Sequence, residues 1–263
     1  MTADLRPRRL LLTVDELDIL RDAVGAALPP DFSIQRAVPL VAEARNAVTA
    51  TLTSRGLLTT GPDGKSSVHP SVVVDFEIIN NPELAVSTLA QVDAIVAVAY
   101  HAVSGPLGVS LLSVGAGQVE LSMYSAGDLG PELARAVPPV PGDSARSAAL
   151  DVPLDEALTA LALIDQQRAD GADSRDPGNL GMTPEQLARL TTLDARFVGS
   201  LRAFVTAPTA DEVGIVMWIA ADGGWHAVDV HFDAVDDRRL VLTPVSADDL
   251  AASIAPLAAA VLA

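Results

Sequence analysis

One strand-to-helix unit occurs twice in the chain, and this repeat constrains the fold more than any other feature. The first copy, residues 118–137, reads QVELSMYSAGDLGPELARAV, and the second, residues 239–258, reads RLVLTPVSADDLAASIAPLA. In both copies apolar residues first alternate, as in a half-buried strand, and then recur every four residues, as in a helix. At the change of period SAGDL (125–129) matches SADDL (246–250), 121 residues later (246 minus 125). The repeat predicts two halves related by a pseudo-two-fold axis.

The same residue types mark the start of both predicted helices. A serine stands three residues before an aspartate in each copy, Ser125 before Asp128 and Ser246 before Asp249. Such a hydroxyl can accept a hydrogen bond from a first-turn amide, and the aspartate favours the positive helix end. Apolar residues match at the same offset: Val119 with Leu240, Leu121 with Leu242, Leu129 with Leu250, and Leu133 with Ile254.

Composition narrows the fold class and the kinds of partner. Of 263 residues 49% are hydrophobic but only 3% aromatic, so alanine, valine and leucine must fill the core, as in helices packed on a sheet. The net charge of −17, with one lysine against 16 arginines, disfavours nucleic acid and anionic lipid as partners. Without cysteine there is no disulfide, thiolate catalysis or cysteine metal site. We predict a duplicated α/β (α+β) protein.

Neither end of the chain carries a targeting or membrane-spanning pattern. Leu10–Leu12 is too short for the apolar core of a signal peptide, although arginines precede it. The apolar run 250–263 is too short to span a bilayer and contains Pro256. We expect a soluble, cytoplasmic protein with no membrane insertion.

Turn and cap signals divide the chain into elements. Thr13 and Glu16 form a capping-box pattern, and Thr183 with Pro184 begins another helix. The run IVAVAYHA (95–102) is apolar on both faces and should lie centrally with both faces covered. Strands are predicted at 8–12, 84–88, 94–101, 107–114, 199–206, 213–221, 225–232 and 238–245. Further helices are predicted at 39–55, 69–81 and 154–168.

Proline and glycine mark the main boundary, PPVPGDSAR at 138–146. We predict an N-terminal half at 1–140 and a C-terminal half at 182–263 that repeats the strand–strand–strand–helix order. Between them, 141–181 holds a connector, a helix and a polar loop. This loop, 169–181, has almost no apolar residue to bury, and we expect it to be mobile and removable in part.

A search for reactive groups finds no catalytic motif: GxSxG, a Walker loop, GxGxxG after a strand and HExxH are all missing from the sequence. Asp229, His231 and Asp233 share one strand face, but three such residues do not close a metal shell, and a solvated face explains them as well. We expect neither cofactor nor metal. Trp218 should lie in the core, whereas Trp225, after a glycine turn, fits the core or the surface equally.

Four stretches resemble the EspG chaperones of actinobacterial ESX (type VII) secretion systems. They are LTVDELDIL (12–20), ARNAVTATLTSRGLL (44–58), NNPEL (80–84) and PGDSARSAALDVP (141–153). The last departs from the glycine-rich form of the family's connector at Asp143 and Ala145. The likeness extends over nearly the whole chain, but the motifs are loose and mostly structural.

The resemblance implies a quasi-two-fold protein with a central antiparallel sheet flanked by two helical bundles. It implies a cytosolic chaperone, not an enzyme, that binds the helical tip of a PPE protein in a PE–PPE pair and keeps it soluble before export. The family's client surface, a sheet loop and the C-terminal bundle, maps onto 89–94, 207–213 and the last helix. The client-binding residues that we predict in these turns are Gln91, Asp93, Thr209, Asp211 and Glu212. We expect a monomer or weak homodimer.

Two other functions stay open at this point. A small-molecule hydrolase or transferase with an unrecognised site would need a deep pocket lined by polar groups of shifted pKa. A self-associating structural protein would form a large oligomer of fixed size.

Overall fold

Ten strands form one antiparallel sheet in the computed structural model, which describes residues 7–32, 40–61, 66–115, 117–140, 148–170, 181–208, 210, 212–234 and 237–262. The strands of this sheet are β1 (Arg8–Thr13), β4 (Leu84–Val92), β5 (Ile95–Ser104), β6 (Leu107–Ser113), β7 (Gln118–Ser125), β8 (Leu150–Pro153), β9 (Phe197–Thr206), β10 (Gly214–Ala221), β11 (Gly224–Ala234) and β12 (Asp237–Val245). A separate hairpin consists of β2 (Leu58–Thr60) and β3 (Ser66–Val68).

The α-helices of the described residues alternate with groups of strands. They are α1 (Val14–Val24), α2 (Ala42–Ser54), α3 (Pro70–Asn80), α4 (Leu129–Ala134), α5 (Leu154–Asp170), α6 (Pro184–Ala195) and α7 (Asp249–Val261). The predicted capping box of α1 is present, because Thr13 Oγ1 accepts from the Glu16 amide and Glu16 accepts from the Thr13 amide. Thr183 and Gln186 make the same pair of bonds at α6. No helix among the described residues has both the length and the hydropathy needed to cross a bilayer.

The strand order is symmetric about the centre of the sheet. It runs β1-β7-β6-β5-β4-β9-β10-β11-β12-β8, with every neighbouring pair antiparallel. The central strands β4 and β9 lie side by side, and Thr88 is opposite Ala203. The repeated strands β7 and β12 are both second from an edge. The predicted central antiparallel sheet is thus confirmed, and its strand order is that of a quasi-two-fold protein.

The two repeated helices pack together on one face of the sheet, which we call the α4/α7 face. Leu133 of α4 and Leu250 and Ile254 of α7 join one core cluster with Trp218. A methyl group built on Gly130 would lie 3.3 Å from the Ala251 Cβ, so the helices are close. This face carries one of the two large clusters of the hydrophobic core.

The predicted serine caps are wrong in their chemistry. Ser125 makes no cap bond, because a 3-10 turn, Ala126–Asp128, separates it from α4. At α7 the aspartate is the acceptor: the Asp249 carboxylate accepts from the amide and the hydroxyl of Ser246, both at 2.7 Å. These two bonds, the amide's first, lower the pKa of Asp249.

Two helical bundles cover the ends of the opposite face, which we call the bundle face. Helices α1, α2 and α3 with the β2–β3 hairpin cover β1, β7, β6 and β5, and α5 with α6 covers β8, β12 and β11. The prediction of two flanking bundles is confirmed. The start and end of the predicted connector, 141–147 and 171–180, lie outside the described residues, so the mobile loop and the domain division stay predictions.

Both tryptophans are buried. Trp218 is in the core as predicted, and Trp225, left open by the sequence, is also only 5% exposed. The Trp225 Nε1 donates to the carbonyl of Pro138 at 2.9 Å, and the two ring centroids are 6.3 Å apart. The indole of Trp225 therefore joins the C-terminal half to the end of the N-terminal half.

Candidate functional site

The centre of the bundle face is uncovered and apolar. Phe204 is opposite Ile215, and Arg202 lies between Leu89 and Met217 in the sheet register. Directly opposite residues of antiparallel strands share a face, so these five side chains lie together. The exposures are 45% for Leu89, 39% for Phe204, 54% for Ile215 and 44% for Met217. We call these five residues the central strip.

The strip is open because the two bundles are placed differently on the sheet. Helices α3 and α6 each precede a central strand and are therefore equivalent. Helix α3 packs over β5 and β6, where the Tyr100 hydroxyl donates to the Ile79 carbonyl at 3.4 Å. Helix α6 packs instead towards the edge strand β8, with Leu190 and Leu193 against Ala221 at the end of β10. Next to the centre of the sheet, the bundle face is therefore covered by a helix in the N-terminal half and exposed in the C-terminal half.

The pseudo-symmetry identifies the covered counterparts of the strip. With Thr88 and Ala203 on the axis, Leu89 is equivalent to Phe204. Leu89 is opposite Val98 and Phe204 is opposite Ile215, so Val98 corresponds to Ile215. Val98 is partly buried against the N-terminal bundle, whereas Ile215 is exposed. The difference follows from helix placement rather than from the strands.

An apolar cavity of about 240 Å³ continues the strip under the C-terminal bundle. Leu161 of α5 and Leu190 of α6 line it from above, and Ile219 and Val228 from the sheet. Ile219 is two residues from Met217 on β10, and therefore on the same face. The volume is below the roughly 300–1,000 Å³ typical of small-molecule sites. A cavity of this size and lining suits the apolar side chain of a bound protein.

At the level of sequence, no family model and no curated protein matches the chain. A solved structure does: the Mycobacterium tuberculosis type VII secretion system chaperone EspG5 in complex with the PE25–PPE41 dimer, with a TM-score of 0.63 and 15% identity over 94% of this chain and 95% of that one. The chain has an EspG-like fold. A second structure, HtdX (Rv0241c) of the same organism, has a TM-score of only 0.15 at 14% identity over 91% of this chain and 100% of that one, and so does not share the fold.

The EspG-like sheet separates the two predicted binding turns. The β4–β5 turn carries Asp93, whose amide donates to the Val198 carbonyl at 2.8 Å, so it lies beside the start of β9. Glu212 precedes β10, at the other end of β9. Nine residues of β4 at about 3.3 Å each put these ends roughly 30 Å apart. Thr209 and Asp211 lie outside the described residues.

Of the predicted site residues, Gln91 is the one nearest the strip. It is exposed on the bundle face two residues from Leu89, and Asp93 follows in a left-handed turn with φ 51°. Ile95 and Val96, just beyond this turn, are each 55% exposed, so the prediction that both faces of 95–102 are covered is wrong for its first two residues. Bundle helix α3 does not reach this end of β5, and the apolar surface extends to the turn.

The last helix, which the resemblance assigns to the client surface beside 207–213, lies on the opposite face of the sheet from the central strip. Helix α7 lies on the α4/α7 face, where Leu257 contacts β10 at Gly214. The C-terminal bundle beside the strip consists of α5 and α6 instead. The sequence missed Leu89, Ile215 and Met217 because exposed and buried apolar residues look alike in a central strand. The alternation within β10 was visible, but not which face stayed open.

The groups with the largest pKa shifts lie away from the strip. Burial raises the pKa of Asp75 to about 6 against the opposing effect of Arg8, which donates to it. Burial lowers the pKa of His101 to about 3, and Arg135 adds to this shift. None of these groups lines the apolar cavity. Of the two, Asp75 joins helix α3 to the edge strand β1 through Arg8.

No group of three or more His, Cys, Asp or Glu side chains able to hold a metal occurs within the described part of the chain. Asp229 and His231 lie on β11, and the side chain of Asp233 is outside the described set. The three-residue metal hypothesis therefore gains no support from the geometry.

Proposed function

We propose that the chain is a secretion chaperone that holds an apolar helical end of a PE–PPE-type protein on the central strip. The observation that carries the proposal is the strip itself: four apolar side chains exposed on a sheet face that both bundles leave open. Contiguous exposed apolar surface on a soluble protein marks interaction sites. Covering the same kind of surface on a client would keep that client soluble in the cytoplasm before export.

The EspG-like fold supports the proposed class of client. EspG5 is bound to a PE25–PPE41 dimer in the solved structure, and this chain matches its fold over 94% of its length. In our proposal the apolar cavity receives one client side chain, while Gln91 and Asp93 form part of the polar rim. The turn with Thr209, Asp211 and Glu212, at the far end of β9, is the second candidate rim. We propose that the chaperone is a monomer or weak homodimer.

Among the described residues, the cavities beside β10 and β11 do not support the enzyme alternative. A larger cavity of about 330 Å³ between α7 and β11 has Ser253 and Asp229 in its lining. His101 and Tyr124, whose pKa values burial shifts strongly, line neither this cavity nor the one beside the strip. Neither of these two cavities therefore brings polar groups of shifted pKa together, as a catalytic site requires.

The proposal is tested by co-expressing the tagged chain with each PE–PPE pair of its own genome and purifying the complexes. Met217→Asp and Ile215→Asp place a carboxylate in the apolar contact and should abolish capture of the client. Because both side chains are about half exposed, thermal melts of the variants alone should match the unmodified chain.

The matched control is Val114→Asp, which changes a similarly exposed residue, 42%, at the distant β6–β7 turn. It should capture the client normally. Normal capture by both strip variants, or failure of the unmodified chain to bind any PE–PPE pair, would show that this surface does not have the proposed function.

A further inference from the structure

The central strip contains an arginine without a carboxylate partner. Among the arginines whose side chains the structure describes, Arg202 alone has no ion pair, and no hydrogen bond from it is found. Arg196, six residues earlier and also exposed, bonds to Asp222 at 2.6 Å. In a chain with 34 acidic residues and 17 basic ones, an unpaired guanidinium is unexpected.

The surroundings of Arg202 make this charge available to a partner. Its cross-strand neighbours are Leu89 on one side and Met217 on the other, and Phe204 lies two residues along the same strand. Ser200 and Gln91, the next opposed pair on this face, are uncharged. A protein that covered the central strip would exclude water from the guanidinium of Arg202, which would then need a hydrogen-bond acceptor from that protein.

We propose that Arg202 determines client specificity by pairing with a carboxylate, an Asp or Glu that the client presents among apolar residues on its helical surface. Arginine can bind a carboxylate through two parallel hydrogen bonds, which fixes orientation as well as charge. The inference rests on the proposed function and adds the chemistry that selects the client. A client whose apolar helical end carries no acidic residue at this point, or carries a basic one, should bind weakly. The covered guanidinium of Arg202 would then stay unpaired.

The net charge of the chain makes a local contact necessary for this selection. At −17 the whole molecule repels acidic proteins at long range. The strip itself carries one positive charge and no negative one. Charge complementarity therefore favours a client with an isolated acid inside an apolar patch, rather than a generally acidic client.

The test uses the PE–PPE pair captured by the unmodified chain, with affinity measured by titration calorimetry. Arg202→Glu should weaken binding by about 30-fold or more, since removing one partner of a covered charge pair costs at least about that factor. Arg202→Lys keeps the charge but loses the two-bond geometry and should bind with intermediate affinity. Arg45→Glu, an equal charge change at an exposed position of α2, is the control and should bind as the unmodified chain does.

A charge exchange identifies the partner group. Each Asp or Glu at the client's tip is replaced by Arg, and one such client should regain affinity for Arg202→Glu. Arg202→Gln removes the charge without reversing it and is the second variant. Thermal melts of both variants check that a loss of binding by Arg202→Glu is not a loss of folding.

The outcomes separate the two proposals. If Met217→Asp abolishes binding while Arg202→Glu and Arg202→Gln bind normally, the carboxylate inference is wrong and the chaperone function stands. If Met217→Asp also binds normally, the proposed function itself fails. If Arg202→Glu converts a dimer of the chain into a monomer in light scattering, the occupant of the strip is a second copy, which also overturns the inference.

Discussion

Two adjacent arginines join the edge strand to both layers of helices. Neighbouring residues of a strand point to opposite faces. Arg8 accordingly reaches the bundle face, where it bonds to Ser71 and Asp75 of α3. Arg9 reaches the other face and bonds to Glu132 of α4 at 2.6 Å. Asp75 and Glu132 are both buried, so one dipeptide supplies a cationic partner to each of two carboxylates that would be costly to leave unpaired.

At the same scale, His101 should make the fold acid-sensitive. Its pKa falls to about 3 on folding from an ordinary value of 6.5, because burial disfavours the charged ring. Between pH 6.5 and 3 the unfolded chain therefore binds a proton that the folded chain does not. As the pH is lowered through this range, the free energy of unfolding decreases by up to about 1.4 kcal/mol per pH unit. Asp75 acts in the opposite direction, since its pKa is raised to about 6 and folding takes up a proton there.

His101→Leu removes this titration with an apolar group of similar size. Denaturant unfolding from pH 7 to 4 should show a pH dependence weaker by about one proton than that of the unmodified chain. Leu112→Met, a buried replacement on the same face of the neighbouring strand, should leave the pH dependence unchanged. Equal slopes for His101→Leu and the unmodified chain would mean that the ring is protonated in the fold.

At the scale of elements, contacts from the bundles protect the edges of the sheet. The guanidinium of Arg55 donates to the Leu11 carbonyl of β1 at 2.8 Å. On the opposite edge the side-chain amide of Gln186 donates through Nε2 to the Asp151 carbonyl of β8 at 2.7 Å. Exposed edges invite pairing with another chain, and such contacts oppose it. The surface left for a partner is therefore a sheet face rather than a sheet edge.

The contact between α4 and α7 should depend on side-chain size. A larger residue at Gly130 would press on Ala251, 3.3 Å from the first added carbon, so we expect Gly130→Leu to destabilise by about 1–3 kcal/mol. Ala251→Gly in the same molecule should restore part of the loss. Chemical denaturation of both single variants and the double variant measures the coupling. Strict additivity would show that the helices do not rely on this contact.

At the scale of the whole molecule, the symmetry is broken where function is proposed. The strands of the two halves match, but α3 covers its central strands and α6 leaves the equivalent ones open. If helices covered this sheet face in both halves, the protein would have no such site. If both halves were open, it would have two. The observed arrangement offers one asymmetric surface, which fits a single asymmetric client.

The broken symmetry predicts different costs at equivalent positions. Val98→Thr buries a hydroxyl against the N-terminal bundle and should destabilise by about 1–2 kcal/mol. Ile215→Thr changes the exposed counterpart and should stay within about 0.5 kcal/mol. Urea unfolding of the two variants makes the comparison. An equal cost at both positions would mean that Ile215 is covered in solution, for example by self-association.

The sequence by itself determined the local features of this protein. The capping box at Thr13 and the helix start at Thr183 form as predicted, because each bond spans three residues and needs no distant partner. The alternation in 118–125 and 239–245 set the strands, and the repeat gave their symmetric positions. The predicted binding residues Gln91 and Asp93 lie at one end of the central strip, because a turn ends the strand that carries Leu89.

The tertiary structure alone decided which apolar residues are covered. Ile215 and Trp218 belong to one apolar run, yet one is 54% and the other 1% exposed. Their difference depends on where α6 and α7 pack, through contacts between residues far apart in the chain. The same holds for Arg202, whose lack of a partner follows from the neighbours that the sheet gives it. The period of apolar residues predicts which residues share a face of a strand. Their burial depends on which elements pack against that face, and only the tertiary structure determines this packing.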